Sequence, residues 1–221
     1  MGTRRIVLTG LLLLCAIGGT AAFAAPVCGG GSLSAYLAPN FTCTQDNGIL
    51  TFKSFAFTPA PNGLTSDQIT VSPADVPGAV GFFFNGNFTV GAGQNATYVL
   101  SYFIDPPPII HEEQLDLDPM GSVMLTEDLC VTAFPCADGN SLGKLTATTA
   151  NPMSAIALGN LNALGIQDTL VLTGGAIGAN SQGFDNLTFI APEPSSILLA
   201  ASGLLVLLAF RSRAKLRKIR V

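Results

Sequence analysis

The sequence predicts an all-β protein, an antiparallel β-sandwich or jelly roll, with an N-terminal signal peptide and one C-terminal transmembrane helix. Three observations predict this organisation. Short runs rich in aromatic and branched residues alternate with turns of Gly, Pro and Asn. An apolar segment with neighbouring cations lies at each end of the chain. The 221 residues leave room for one β domain between these segments.

The body between the terminal segments, residues 25–190, contains about eight predicted strands. The Asn85-Gly86-Asn87 segment predicts a hairpin turn, because Asn-Gly supplies the positive φ angles of a tight turn. Residues 153–166 are ambiguous, since their Ala and Leu content allows a short helix while Pro152 and two glycines limit its length. The predicted strands cover residues 49–57, 68–71, 79–90, 97–104, 121–132, 144–149, 169–173 and 184–190.

The N-terminal segment has the three parts of a secretory signal peptide. Two arginines precede a short apolar run, and small residues follow it up to the cleavage-site residues Ala22 and Ala24. The signal peptidase of the general secretion machinery would therefore cut before Ala25 and remove residues 1–24. An uncleaved membrane anchor is the alternative, and the short apolar run and the Ala-rich boundary disfavour it.

The C-terminal segment, residues 191–221, combines a Pro-Glu-Pro motif, an apolar helix and a basic tail. The 16 uncharged residues 195–210 would form a helix of about 24 Å, slightly shorter than the hydrocarbon core of a bilayer. A buried globular helix is the alternative, but the segment shows no polar face. Six cations in the tail 211–221 would stay on the cytoplasmic side and place the acidic body outside the membrane. They are Arg211, Arg213, Lys215, Arg217, Lys218 and Arg220.

The order of a Pro-Glu-Pro motif, a short apolar helix and an Arg-rich terminus resembles the PEP-CTERM sorting signal of exported bacterial proteins. This resemblance implies that an exosortase, a membrane enzyme similar to cysteine transpeptidases, recognises Pro192, Glu193 and Pro194 and cuts near them. The protein would then reach the cell surface or the extracellular matrix. The resemblance covers about 30 residues and concerns sorting, so it assigns no activity to the body.

The body also resembles a recurrent type of PEP-CTERM protein. The shared features are an early cysteine pair, a Phe-rich strand, a Glu followed by a Cys, and a Phe-Asx-Asn segment before the sorting signal. The resemblance implies an exported β-sandwich. In this sequence the features are Cys28 with Cys43, residues 52–57, Glu127 with Cys130, and residues 184–186.

The body is strongly acidic. Residues 25–190 hold 13 Asp and Glu residues against Lys53 and Lys144, which leaves a formal charge of −11. A polyanionic phosphate backbone would be repelled, so this charge argues against nucleic-acid binding. The chain has one His, no Trp and no phosphate-binding glycine loop. We therefore expect no cofactor and no His-based catalysis.

Four cysteines remain after removal of the signal peptide: Cys28, Cys43, Cys130 and Cys136. An even number in an exported chain favours two disulfides, for which three connectivities exist. Sequence nearness favours Cys28 with Cys43 and Cys130 with Cys136. Metal binding is the alternative, and the absence of C-x-x-C spacing disfavours it.

The densest polar cluster runs from His111 to Asp118. In a strand, Asp116 and Asp118 would point the same way and could bind Ca²⁺ together with Glu127 or Asp128. The spacing matches no calcium loop, so a solvated acidic edge is the favoured interpretation. A carboxylate pair could also serve a glycosidase, but local spacing cannot place two groups on either side of a sugar.

These observations favour an exported surface or matrix protein, without catalysis, that has a structural or adhesive role in an exopolysaccharide-rich envelope. The alternative is a carbohydrate-binding or carbohydrate-active sandwich. Tyr36, Tyr98 and Tyr102 are the tyrosines available for stacking on sugars. Ice binding would need a flat, regular Thr array, and residues 146–149 are too short to show one.

Overall fold

The computed structural model describes residues 25–46, 48–76, 78–105, 110–136, 139–159, 161 and 163–190. Within these residues two antiparallel six-stranded sheets form a sandwich, which confirms the predicted all-β fold of the body. The predicted signal peptide, sorting motif, membrane helix and basic tail lie outside the described residues. None of the helices in the described ranges has the length and hydropathy needed to cross a bilayer.

The described ranges contain twelve strands, a one-turn helix α1 (Leu33–Tyr36) and a 3-10 turn (Ser66–Gln68). The strands are β1 (Gly31–Ser32), β2 (Thr42–Gln45), β3 (Leu50–Thr58), β4 (Thr70–Val76), β5 (Ala79–Val90), β6 (Asn95–Asp105), β7 (Ile110–Met120), β8 (Ser122–Cys130), β9 (Ser141–Thr148), β10 (Met153–Ala157), β11 (Leu164–Thr173) and β12 (Ala179–Ile190).

Sheet I has the strand order β1-β4-β5-β12-β7-β10, and sheet II has the order β2-β3-β6-β11-β8-β9. The last eight strands follow the arrangement of a jelly roll, with β5-β12-β7-β10 facing β6-β11-β8-β9. Every connection among these eight strands crosses between the sheets except β8 to β9. As a result, strands that are distant in sequence become neighbours, and β12 lies between β5 and β7.

An aromatic cluster fills the space between the sheets around Phe82. Because side chains alternate along a strand, Phe82 and Phe84 point inward and Phe83 points outward. The ring centroid of Phe82 lies 4.8 Å from that of Phe52 and 5.7 Å from that of Tyr102, and both contacts are edge-to-face. This geometry suits the quadrupoles of the rings and joins β5 to two strands of sheet II.

The structure contradicts the predicted hairpin at Asn85-Gly86-Asn87. Strand β5 continues through this segment: it pairs with β4 as far as Asn85, and it pairs with β12 on both sides of a register shift at Gly86 and Asn87. An Asn-Gly pair permits a turn but does not require one, and hydrogen bonding to two neighbouring strands outweighs it here. The ambiguous residues 153–166 hold β10 and the start of β11, and none of their described residues is helical.

The acidic segment from His111 to Asp118 lies in β7, which is an internal strand flanked by β12 and β10 rather than an edge. Its residues alternate in direction. Leu115 and Leu117 are buried between the sheets, whereas Asp116 is partly exposed and Asp118 exposed on the outer face. Glu112, Asp116 and Asp118 are therefore on the outer surface of sheet I, whereas Glu113 is buried between the sheets.

Both cysteine pairs that sequence nearness favours form disulfides. The Cα atoms of Cys28 and Cys43 are 4.8 Å apart, and those of Cys130 and Cys136 are 5.3 Å apart. The first bond ties the N-terminal segment of the body to β2, and the second closes the loop after β8. A loop of 15 residues contributes up to about 3 kcal/mol to stability in the chain-entropy account.

Candidate functional site

The four carboxylates predicted as Ca²⁺ ligands point to three different places. Asp116 and Asp118 lie on the outer face of sheet I, and Glu127 is buried between the sheets. Asp128 lies on the outer face of sheet II, where Oδ1 is 3.2 Å from Lys144 Nζ. The structure does not bring the four together. Glu127 and Asp128 face opposite sides of sheet II because successive residues of a strand do so, and Asp116 and Asp118 belong to the other sheet. No three His, Cys, Asp or Glu side chains within the described ranges are placed to hold a metal ion.

The polar residues of β7 do not form a catalytic cleft with Glu127. His111 is exposed, and Glu112 and Asp116 are partly exposed on β7. Glu127 is fully buried on the facing sheet, so these side chains do not converge on a common substrate. The tyrosines predicted for sugar stacking are also unavailable, because all three lie in the core.

Three carboxyl side chains lie in the interior of the sandwich, and we call them the core carboxyl cluster: Glu113, Glu127 and Asp168. Their exposed fractions are 0, 0 and 1%. Glu127 and Asp168 are in register on β8 and β11 of sheet II, whereas Glu113 belongs to β7 of sheet I. Lys53 pairs with Asp105 and Lys144 with Asp128, so neither of these cations neutralises the cluster.

Burial controls the protonation of the core carboxyl cluster. It raises the pKa of Glu113 from 4.5 to about 8 and the pKa of Asp168 from 3.8 to about 7. Burial and then the charges of the other two carboxyls raise the pKa of Glu127 well above its ordinary value. Because a buried unpaired charge costs several kcal/mol, these carboxyls retain protons at pH values where exposed carboxyls are ionised.

Two amide side chains connect the sheets. Asn186 of β12 donates from Nδ2 to Asp168 Oδ2 at 2.7 Å. Gln45 of β2 makes hydrogen bonds of 2.8 and 2.9 Å with the backbone of Gly81 on β5. A Cβ atom at Gly81 would lie 1.9 Å from the Asn186 carbonyl oxygen, so glycine is needed where β5 approaches β12. These contacts hold β5 and β12 against sheet II.

The outer face of sheet I carries an open groove of about 390 Å³, which we call the acidic groove. Strands β5, β12 and β7 form its floor. Phe83, Asp185 and Asp116 stand side by side, because they are in register on the three strands. In the next row, Asn85 and Asp118 flank a glycine of β12, and the missing side chain leaves the floor open between them.

A β-bulge in β12 shapes one end of the acidic groove. The register of β12 with β7 shifts between Ser181 and Gly183, so Gln182 is an extra residue relative to β7, and it lines the groove. The buried Ser181 Oγ lies 3.0 Å from the Asp118 carbonyl oxygen and 2.8 Å from the Gly183 carbonyl oxygen, and it accepts a hydrogen bond from Gly183 N at 3.3 Å. Ser181 therefore fixes the bulge against β7.

The acidic groove offers one aromatic surface together with hydrogen-bonding side chains. Phe83 is 38% exposed although its neighbours in the sequence are buried. Carboxylates accept hydrogen bonds, and the amides of Asn85 and Gln182 both donate and accept them. Burial and the nearby charge of Asp116 raise the pKa of Asp185 from 3.8 to about 6.

The sequence analysis named Asp116 and Asp118 as candidate ligands but assigned no binding role to the other groove residues. Phe83 lies about 100 positions from Asp185 in the sequence, and only the strand order brings them together. One signal was present: the run Phe82-Phe83-Phe84 cannot point entirely inward in a strand, so one of its rings must face outward.

We predict that the protein loses stability as the pH rises from about 4.5 to about 8. Glu113 and Asp168 have raised pKa values in the folded state, so over this interval the folded protein binds more protons than the unfolded chain. Each such proton contributes a slope of about 1.4 kcal/mol per pH unit. Urea unfolding at a series of pH values measures this slope.

The variant Glu113→Gln should reduce the dependence of the free energy of unfolding on pH, because the amide does not titrate. Glu112→Gln, at the partly exposed neighbour on the same strand, is the matched control and should leave the slope unchanged. Equal slopes for wild type and Glu113→Gln would contradict the assignment of the pH dependence to the core carboxyl cluster.

We also predict that Ser181→Ala destabilises the protein by about 1–3 kcal/mol, because it leaves buried backbone groups of the bulge without their partner. Thermal unfolding followed by circular dichroism measures this loss. Ser122→Ala, at an exposed position at the start of β8, is the control and should change stability by less than about 0.5 kcal/mol. Equal effects of the two substitutions would refute the structural role of Ser181.

No family model matches the sequence, and no curated protein matches it. Among solved structures, the chain is similar to the carbohydrate-binding module TmCBM61 in complex with β-1,4-galactotriose, with 11% identity, a TM-score of 0.36, and coverage of 62% of this chain and 88% of that one. It is also similar to the enzymatically active domain of tailspike protein 4 of bacteriophage CBA120, with 14% identity, a TM-score of 0.29, and coverage of 60% and 19%. At these TM-scores neither likeness bears on what this chain binds.

Proposed function

We propose that this chain is an exported protein whose β-sandwich binds carbohydrate in the acidic groove and so attaches the protein to a polysaccharide at the cell surface or in the extracellular matrix. The observation that carries this proposal is the exposed ring of Phe83 beside Asn85, Asp116 and Asp185 in one open groove. Sugars present apolar ring faces and rows of hydroxyl groups. An aromatic face with neighbouring acceptors and donors complements both.

Export is supported by the two disulfides, which persist in oxidising compartments. The N-terminal signal peptide and the PEP-CTERM-like tail complete this part of the proposal. An exosortase would act near Pro192, Glu193 and Pro194 after the C-terminal helix has held the protein in the membrane.

We propose binding without cleavage. A glycosidase places its two carboxyl groups on either side of the scissile bond. In the acidic groove, Asp116 and Asp185 are neighbours on adjacent strands and project from the same face. Both carboxylates therefore approach a bound sugar from one side.

Phe83→Ala should weaken oligosaccharide binding about tenfold, because the sugar loses the apolar surface on which its ring packs. Isothermal titration calorimetry with a panel of soluble oligosaccharides of different linkage and charge measures the affinity. The absence of new reducing ends after long incubation would support binding without hydrolysis.

Met124→Ala is the matched control for Phe83→Ala. Met124 has a similar exposed fraction, 43%, on the outer face of the opposite sheet, so its loss should leave binding unchanged. Equal losses for both variants, or no binding of any oligosaccharide by the wild type, would refute the proposed site.

A second candidate function, ice binding, rests on the outer face of sheet II. Thr58, Thr169, Thr126 and Thr146 lie in one row across the sheet, interrupted by Val99. A parallel row contains Thr97, Val171, Met124 and Thr148. Neighbouring residues within a row are about 4.8 Å apart, which is the distance between strands. The two rows are about 6.8 Å apart, which is two residues along a strand. Such an uncharged array of methyl and hydroxyl groups is what ice binding requires.

This candidate predicts that the protein slows the recrystallisation of ice and that Thr126→Lys abolishes the effect, because a long charged side chain breaks the array at its centre. Phe83→Ala alters the other sheet and should retain the activity. Ice growth unaffected by the wild-type protein would eliminate this candidate.

A further inference from the structure

We propose that the ligand of the acidic groove is a polysaccharide whose sugar units carry free amino groups, so that an ammonium group lies against Asp185 and Asp116 while a sugar ring packs on Phe83. This inference rests on the proposed function and adds the chemical class of the ligand. It follows from the charge of the groove, from the register of its residues and from the placement of the cations in the body.

The acidic groove carries negative charge, and no cation of the described residues compensates it. Asp116, Asp118 and Asp185 all line it, and none of the described residues that line it is a Lys, Arg or His. Lys53 and Lys144 are the two cations of residues 25–190, and both belong to strands of sheet II, where each pairs with a different aspartate. The groove is therefore complementary to a cationic ligand.

The register places the negative charge beside the aromatic ring. Asp185 lies directly between Phe83 and Asp116 in one row, and residues opposite each other on adjacent strands have Cβ atoms about 5 Å apart. An amino group on a sugar ring lies within a few ångströms of the ring itself. One sugar unit can therefore contact Phe83 and the two carboxylates at the same time.

Partial burial imposes a desolvation cost on the charged form of Asp185, and the like charge of Asp116 beside it adds repulsion. The raised pKa of Asp185 is the response of a carboxyl group in this situation. Hydroxyl groups of a neutral sugar can donate to the carboxylates but do not remove the repulsion. An ammonium group does both, because it donates hydrogen bonds and carries a positive charge.

A bound metal ion would be the other way to relieve this repulsion. Among the described residues, no three His, Cys, Asp or Glu side chains are placed to hold one. The planar amides of Asn85 and Gln182 at the end of the groove are also better suited to the hydroxyl groups of a sugar chain.

The test compares three soluble β-1,4-linked oligomers of equal length with the full-length protein by isothermal titration calorimetry. They are a glucosamine oligomer, its N-acetylated form and a glucose oligomer. The glucosamine oligomer should bind at least about tenfold more tightly than the other two, because only it forms a charge-assisted contact. Its affinity should fall with added salt and fall again below about pH 6, where Asp185 becomes protonated.

Asp185→Asn and Asp116→Asn should each remove most of the preference for the amino sugar while retaining the weaker binding of the neutral oligomer. Asp128→Asn changes the net charge equally but lies on the outer face of sheet II, so it should retain the preference. A loss of preference in all three variants would indicate an effect of net charge alone and would overturn the inference.

The other outcomes separate this inference from the proposed function. Equal affinity for the three oligomers, reduced by Phe83→Ala, would overturn the amino-sugar inference and leave carbohydrate binding in place. Binding of an acidic oligosaccharide only in the presence of Ca²⁺ would overturn it in favour of a metal-bridged contact. Failure of every oligomer to bind would overturn both proposals.

Discussion

The burial of three carboxyl groups between the sheets is the constraint on which the rest of the sandwich depends. Glu113, Glu127 and Asp168 occupy positions where an all-apolar core would be simpler. They can remain there only in a largely protonated form, and Asn186 provides a hydrogen bond that joins one of them to the opposite sheet. The spacing of the sheets is thus set partly by polar contacts that require defined geometry, in addition to the packing of the aromatic cluster.

The same contacts position the outer surface. Asn186 holds β12 from the inside, and the preceding residue in the chain, Asp185, faces the acidic groove on the outside. Gln45 holds β5 in a similar way at Gly81, two positions before Phe83. Because inward and outward residues alternate along each strand, the core fixes the row of Phe83, Asp185 and Asp116. The bulge at Ser181 then opens the end of the groove.

The general architecture could be predicted from local patterns, and the candidate site could not. Short runs of aromatic and branched residues between turns of Gly, Pro and Asn indicated a β-sandwich, and nearness in the sequence indicated both disulfides. The hairpin prediction at Asn85-Gly86 was wrong because pairing with neighbouring strands outweighs a local turn preference. The acidic groove combines strands that the jelly-roll order makes adjacent, and the burial of Glu127 opposite Asp168 depends on the same order. The residue pattern of a single strand therefore predicts neither the groove nor the burial of Glu127 opposite Asp168.

The most direct test of the central claim is a map of the binding surface. Amide chemical shifts of the isotope-labelled protein, recorded by NMR during titration with a glucosamine oligomer, report which strands the ligand contacts. We expect the largest changes at Phe83, Asn85, Asp116, Gln182 and Asp185. Changes concentrated on the outer face of sheet II, or spread evenly over the protein, would contradict the assignment of the acidic groove as the binding site.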